Sequence, residues 1–258
     1  MSVFENILVK KEGRIAYVTI NREQQLNALN TKTIEELMLT LTDLASDIDV
    51  WGIIVTGSGA KAFVAGADIK EFQSLGEEEG RKLSQLGSVK LMDRIQYFEK
   101  PVIAAINGYA LGGGLELALS CHLRVAVAEA KVGLPEVSLG LIPGYGGTQR
   151  LTELVGRGKA LEMIMTGGMI SADDANRWGL VNHVVAAHEL ISTCEEILHQ
   201  IFSRSKTAVA AAIRAVNAHG DKQKNGYVVE SEEFGKCFET PDFEEGVAAF
   251  LEKRKPRF

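Results

Sequence analysis

Residues 108–120 read GYALGGGLELALS. Consecutive glycines, Gly112, Gly113 and Gly114, run into an apolar stretch that carries one acid, Glu116. Each glycine loses maximal backbone entropy on ordering, so the triplet predicts a mobile turn, not regular structure. The following LELALSC predicts the start of a buried helix. A glycine-rich turn ahead of a helix leaves main-chain N–H groups unpaired, backed by the positive end of the helix dipole. Such donors stabilise an oxygen anion, and removing one costs about 3 kcal/mol in a catalysed barrier. FVAGADIKEF (63–72) predicts a second small-residue turn, with Asp68 as N-cap. Two N–H donors from separate turns make a complete hole for a carbonyl oxygen.

Around these turns the pattern is α/β. GRIAYVTIN (13–21) alternates and is rich in β-branched residues, which predicts a strand. From Asn30, a good N-cap, Ile34, Leu37, Met38, Leu41, Leu44 and Ala45 keep helical spacing. WGIIVTG (51–57), KPVIAAING (100–108) and HLRVAVAEA (122–130) predict buried strands, with a helix over 77–98. Beyond residue 145 helices dominate, over 146–155, 157–166, 188–203 and 206–218, with Ser171 and Asp174 in a capping-box pattern. The last, PDFEEGVAAFLEKRK, starts at Pro241 and ends in a basic turn, as the dipole favours. An α/β core with right-handed crossovers and a helical C-terminal portion is expected.

The 258 residues are 46% hydrophobic and 24% charged, enough for one large domain with a sizeable core. A net charge of −6 argues against nucleic acid as the main partner. Cys121, Cys194 and Cys237 are widely spaced with no CxxC, which predicts a reduced, intracellular protein. The N-terminal MSVFENILVKKEGR has no apolar core of signal-peptide length, and no stretch approaches ~18 uninterrupted apolar residues. A cytoplasmic location is expected.

No metal site is expected: His122, His183, His188, His199 and His219 are scattered and form neither HExxH nor a Cys/His cluster. GSGAKA (57–62) fits a relaxed dinucleotide pattern after a strand, but FVAGAD follows without a helix start. A pyrophosphate site needs that helix, so a turn is the better interpretation. Glu116 in GLELALS and Glu136 in KVGLPEVSLGLIPG are isolated acids in apolar surroundings. Burial raises a carboxyl pKa toward the range useful for proton transfer. Each acid taken alone reads first as a structural ion pair, with Arg124 or Arg150 as partner. Two such acids, each beside a glycine-rich turn, shift the balance toward chemistry.

AGADIKEF (65–72), KPVIAAINGYALGGGLELALSCHLRVA (100–126), GLPEVSLGLIPGYGGTQRL (133–151) and FLEKRK (250–255) resemble the crotonase superfamily, specifically the enoyl-CoA hydratases. The resemblance covers almost the whole chain. It implies a spiral of repeated ββα units over 1–195 and a helical C-terminal trimerisation region over 196–258, assembled as trimers or dimers of trimers. It implies fatty-acid metabolism of the β-oxidation type. It places the oxyanion hole at the N–H groups of Ala67 and Gly113 and the catalytic acids at Glu116 and Glu136. Glu116 would act mainly as base toward water, and Glu136 as the acid that protonates C2. Gly144 would bind the water. Ala65, Asp68 and Ile69 would line the coenzyme A portion, with Gln24 and Gln25 nearby, and coenzyme A would enter only as part of the substrate, without a separate cofactor.

Two departures from the family pattern stand out. NREQQLNAL (21–29) has Glu23 where proline is usual and Gln24 where a basic residue often meets the coenzyme. Tyr145, in GYGGTQR, replaces a small residue, and would either crowd the acyl pocket or point away. The fold also hosts isomerases, hydrolases, decarboxylases and dehalogenases. The acid pair favours hydration, since an isomerase generally needs one acid. No Ser–His pair for peptidase chemistry lies at matching places. An RNA-binding or scaffold role is opposed by the negative charge and by the lack of a basic run outside RKPR near the C-terminus.

Overall fold

A computed structural model describes residues 4–221 and 223–258. The chain opens with an antiparallel pair, β1 (Ile7–Glu12) and β2 (Ile15–Ile20). Next comes α1 (Thr31–Ser46), capped by Asn30, whose side chain accepts the Thr33 N–H at 2.8 Å. Ile34, Leu37, Leu41 and Leu44 are buried as their spacing predicts, whereas Met38 is half-buried and Ala45 exposed. Glu36 on the same helix accepts the N–H groups of Glu5 and Asn6, tying down the entry to β1.

Three strand pairs then repeat one motif: β3 (Gly52–Gly57) with β4 (Ala62–Val64), β5 (Val102–Ile106) with β6 (Tyr109–Leu111), and β7 (Leu123–Val127) with β8 (Lys131–Gly133). The first of each pair joins a six-stranded sheet ordered β1-β2-β3-β5-β7-β10. The second joins a four-stranded sheet ordered β4-β6-β8-β9. Here β9 is Met169–Ser171, antiparallel to β8, and β10 is His183–Val185, parallel to β7. This is the repeated ββα spiral. β5 is buried along its length because helices or the second sheet cover both faces, hence its unbroken VIAAI. GSGAKA forms the turn from β3 into β4, not a helix start.

The helix expected over 77–98 is one helical run of three parts. α2 (Glu77–Gln85) passes into a π-helical turn, Leu86–Met92, and then into α3 (Asp93–Gln96). α4 (Gly113–Ser120) links β6 to β7. α5 (Gly147–Thr166) contains a break at Gly156 (φ 76°, ψ 159°), which accounts for the two helices expected there. α6 (Ala172–Arg177) is capped by Ser171 as its pattern predicts. α7 (Leu190–Phe202), α8 (Lys206–Asn217), α9 (Gly226–Cys237) and α10 (Pro241–Leu251) complete the chain.

Several expectations are corrected. Gly113 and Gly114 are helical; only Gly112 lies outside, with φ 51°. The basic residues after α10 lie beyond its last turn, so they do not complement its dipole. α9 went unseen in the sequence, because its buried face is almost absent: only Glu233 is buried.

Candidate active site

Three parallel strands of the smaller sheet end at one place. β4 runs into Ala65–Ala67, β6 into Gly112 and Gly113, and β8 into Leu134–Glu136. The order β4-β6-β8 therefore sets these segments side by side at the carboxyl ends of the strands, where open parallel sheets commonly place ligands. Gly112 N–H donates to Gly133 O at 2.9 Å, joining the second and third segments. Gly112 needs its positive φ, and a Cβ there would approach Glu136 Oε1 to 3.0 Å. Gly114 is required for another reason: a Cβ there would stand 2.0 Å from Val64 O, so α4 packs directly on the end of β4.

Ala67 and Gly113 are brought together. The Ala67 nitrogen lies 3.6 Å from the Cβ position of Gly113. Neither N–H has a protein acceptor among the described residues, while the flanking Leu29 and Asp68 N–H groups do. Gly113 is the first residue of α4, so its donor also carries the positive end of that helix. Two main-chain donors without a protein acceptor therefore belong to neighbouring segments at this end of the sheet.

Glu116 lies on the first turn of α4 and is buried. Its Oε1 accepts two main-chain N–H groups, from Tyr145 and from Gly147, each at 2.7 Å. Burial raises its pKa to about 7; the two donors oppose that rise, and the charge of Glu136 adds to it. Glu136 opens a short helical turn, Glu136–Leu139, and burial raises its pKa as well. Its Oε2 is buried without a hydrogen-bond partner. A lone pair left so is costly in a finished structure and points to a ligand group or water that engages it.

The arginines offered as structural partners are engaged elsewhere. Arg124 donates to Ala118 O, Cys121 O and Leu180 O, closing the carboxyl end of α4. Arg150 pairs with Asp93, bonds Gln96 Oε1 at 2.7 Å and donates to Tyr145 O at 3.1 Å. Arg150 therefore braces the loop that holds Glu116; it pairs with Asp93 and not with Glu116, on which its charge acts only as a weaker opposition to the burial-driven pKa rise. The donors at Tyr145 and Gly147 escaped the sequence because they are main-chain groups, which no residue type announces.

Gly144 sits one residue before Tyr145, and its carbonyl accepts Ser84 Oγ at 2.5 Å. Tyr145 does not point away. Its ring is buried, 5% exposed, between Gly87 and Gly113. Ala65 is half-buried, with its N–H on Leu26 O, and Ile69 is 45% exposed on the next turn. Asp68 caps that turn and pairs with Arg22 at 3.0 Å, so its carboxylate has a structural partner. Gln24 and Gln25 are exposed on a short helical turn, Glu23–Gln25. Among the described residues no group of three or more His, Cys, Asp or Glu is placed to hold a metal.

The family model described as Enoyl-CoA hydratase/isomerase matches residues 10–258. A short-chain-enoyl-CoA hydratase of Clostridium acetobutylicum is 47% identical over 251 residues, covering 97% of this chain and 96% of the relative. A crotonyl-CoA hydratase of Syntrophomonas wolfei is 46% identical, covering 99% and 98%. The crystal structure of an enoyl-CoA hydratase from Bacillus anthracis superposes with a TM-score of 0.91 at 41% identity, covering 98% of this chain and 99% of that one.

Proposed function

This chain belongs to the enoyl-CoA hydratase/isomerase family, and from that membership we propose that it adds water reversibly across the 2,3 double bond of trans-2-enoyl-CoA, giving 3-hydroxyacyl-CoA. The observation that carries this is the pair of acids: Glu116, buried and anchored through Oε1 by two N–H groups, and the half-buried Glu136, whose Oε1 lies beside Gly112 and whose Oε2 is buried without a partner. Single-acid isomerisation leaves one of these two carboxyls without a task.

In this mechanism the thioester oxygen lies between the N–H groups of Ala67 and Gly113. Glu116 takes a proton from water as the water oxygen bonds to C3. The π electrons of the double bond move to C2 and into the thioester oxygen, where the two donors and the α4 dipole meet the growing charge. Glu136 then gives its proton to C2, and dehydration runs the steps backward. Burial raises the pKa of both acids, that of Glu116 to about 7, as suits groups that exchange protons with the substrate. Gly144, next to a donor of Glu116, is the proposed main-chain contact for the water. Ala65, Asp68 and Ile69, with Gln24 and Gln25, are the proposed surface for the coenzyme A portion, met mainly through the main chain. Coenzyme A is part of the substrate, and no further cofactor is proposed.

Residues 196–258 are proposed to mediate a homotrimer or a dimer of trimers. Supporting this, the last helices expose Phe234, Phe238, Phe250 and Leu251, an apolar load typical of an unpartnered interface. A nucleic-acid role gains no support, since Arg254 in the basic RKPR run is neutralised by Glu245 and Glu252. No described helix is long and apolar enough to cross a membrane, and a cytoplasmic location is proposed.

The test is the loss of enoyl-thioester absorbance when the purified protein meets crotonyl-CoA, beside Glu116→Gln and Glu136→Gln. Rapid loss with the wild type and collapse in both variants supports two-acid hydration. Collapse in only one variant, with turnover of a 3-enoyl-CoA, overturns it in favour of isomerisation.

A further inference from the structure

The side chain of Tyr145 has no part in the two-acid chemistry, yet its position is heavily fixed. A Cβ at Gly87 would lie 2.3 Å from its Cδ1 and 2.5 Å from its Cε1, and a Cβ at Gly113 would lie 3.2 Å from its Cδ2. The ring therefore occupies space that side chains would take at either glycine. Its backbone is held from both sides, with the N–H on Glu116 Oε1 and the carbonyl on Arg150. Gly87 belongs to the π-helical turn Leu86–Met92, a local irregularity of the kind concentrated at functional sites. One turn earlier, Ser84 bonds Gly144 O. The helical run and the Gly144–Gly147 loop are thus closed on each other twice, by a polar contact and by an aromatic ring seated on glycine.

Resting on the hydratase reading, we propose that Tyr145 is the acyl-length gauge of this enzyme, with Gly87 as its seat. If the thioester oxygen is held at Gly113 and C2 and C3 stand between the two acids, a ring touching Gly113 is within reach of the first carbons beyond C3. A short enoyl group ends against the Cδ2–Cε2 edge that the ring turns toward Gly113. Each further methylene meets an aromatic wall backed by the π-helical turn. A channel with room to bury added methylenes would gain about fourfold in kcat/KM for each one; a closed wall removes that gain and reverses it.

The experiment measures kcat/KM for trans-2-enoyl-CoA thioesters of four, six, eight and ten carbons. It compares the wild type with Tyr145→Ala and with Tyr145→Leu, which keeps apolar packing on Gly87 while shortening the side chain. Calorimetric binding of butyryl-CoA and octanoyl-CoA to the same proteins reads the length preference independently of turnover. The wild type is expected to lose at least tenfold between four and eight carbons. In at least one variant the eight-to-four-carbon ratio should rise tenfold or more, in turnover and in binding. A wild type indifferent to length, or variants weakened equally at every length, overturns the gauge. Absent hydration at every length, with the binding ratio still moved by Tyr145, overturns the hydratase reading and leaves the gauge standing.

Discussion

Gly147 donates its N–H to Glu116 Oε1 at 2.7 Å, and a Cβ on Gly147 would stand 2.9 Å from Glu116 Cγ and Oε1. Donor and clearance are one arrangement. Gly147 is the first residue of α5, so the acid on α4 faces the positive end of a neighbouring helix at a range that only glycine allows. That contact opposes the burial that pushes the Glu116 proton affinity upward.

Gly147→Ala should therefore act on catalysis more than on folding. The added methyl must displace a buried side chain that already holds two hydrogen bonds, and overpacking of this kind costs about 1–3 kcal/mol. Steady-state kinetics with crotonyl-CoA should show kcat reduced at least tenfold and KM little changed. An unaltered kcat would mean that the position of Glu116 does not limit the reaction.

Glu116→Gln should alter the pH dependence of stability. The wild-type acid titrates near 7 when folded, against roughly 4.3 when unfolded. Below the lower value both states are protonated and the group costs nothing. Between the two, the unfolded chain has released its proton while the folded chain retains it, so stability falls as pH rises; above 7 the cost stays constant. The full difference is on the order of 3 kcal/mol. Glutamine has no such titration and can still accept both N–H groups. The variant's advantage in Tm over the wild type should widen by several degrees from pH 5 to pH 8. A flat difference would contradict the burial-driven shift.

What the sequence discloses follows from which physical signals are carried by side chains. Glu116 and Glu136 stand out because an acid inside an apolar run needs a reason. β3, β5 and β7 stand out because strands covered on both faces become mainly apolar runs, unbroken in β5 and interrupted in β7 only by Arg124. The smaller sheet stays hidden: β4, β6, β8 and β9 are three residues each, too short for any alternation to register. Yet three of those strands aim the site. The π-helical turn is equally silent, since nothing in LGSVKLM distinguishes it from α-helix, and the basic tail after α10 is misread when cation and helix end are matched by sequence alone.

Arg150→Lys probes the brace behind Glu116. The guanidinium serves Asp93, Gln96 and the Tyr145 carbonyl together, a fork that a single ammonium cannot reproduce. Asp93 is partly exposed and can be hydrated when it loses its partner, so the expected loss is about 2 kcal/mol, below that of a fully buried pair. Urea unfolding gives that number. The kcat should fall with it, because Tyr145 would lose one of the two contacts that fix its backbone. Retained kcat alongside lost stability would confine Arg150 to a folding role.

Gly114→Ala sets two effects of opposite sign against each other. Gly114 lies within α4, and alanine in a helix is favoured over glycine by about 1 kcal/mol. On helix propensity alone the variant should be more stable. A Cβ there, however, would stand 2.0 Å from Val64 O and 2.7 Å from Val64 C. The obstacle is backbone at the end of β4, which cannot rotate aside as a side chain could. To admit the methyl, α4 must lift from the smaller sheet, moving Gly113 away from Ala67 and Glu116 away from its two donors. Packing should win, with a loss of at least 3 kcal/mol in urea unfolding or failure to accumulate as soluble protein. Any folded fraction should lose hydration activity. A variant as stable and active as the wild type would show that α4 does not rest on β4 as described, and that the alignment of the oxyanion donors has another origin.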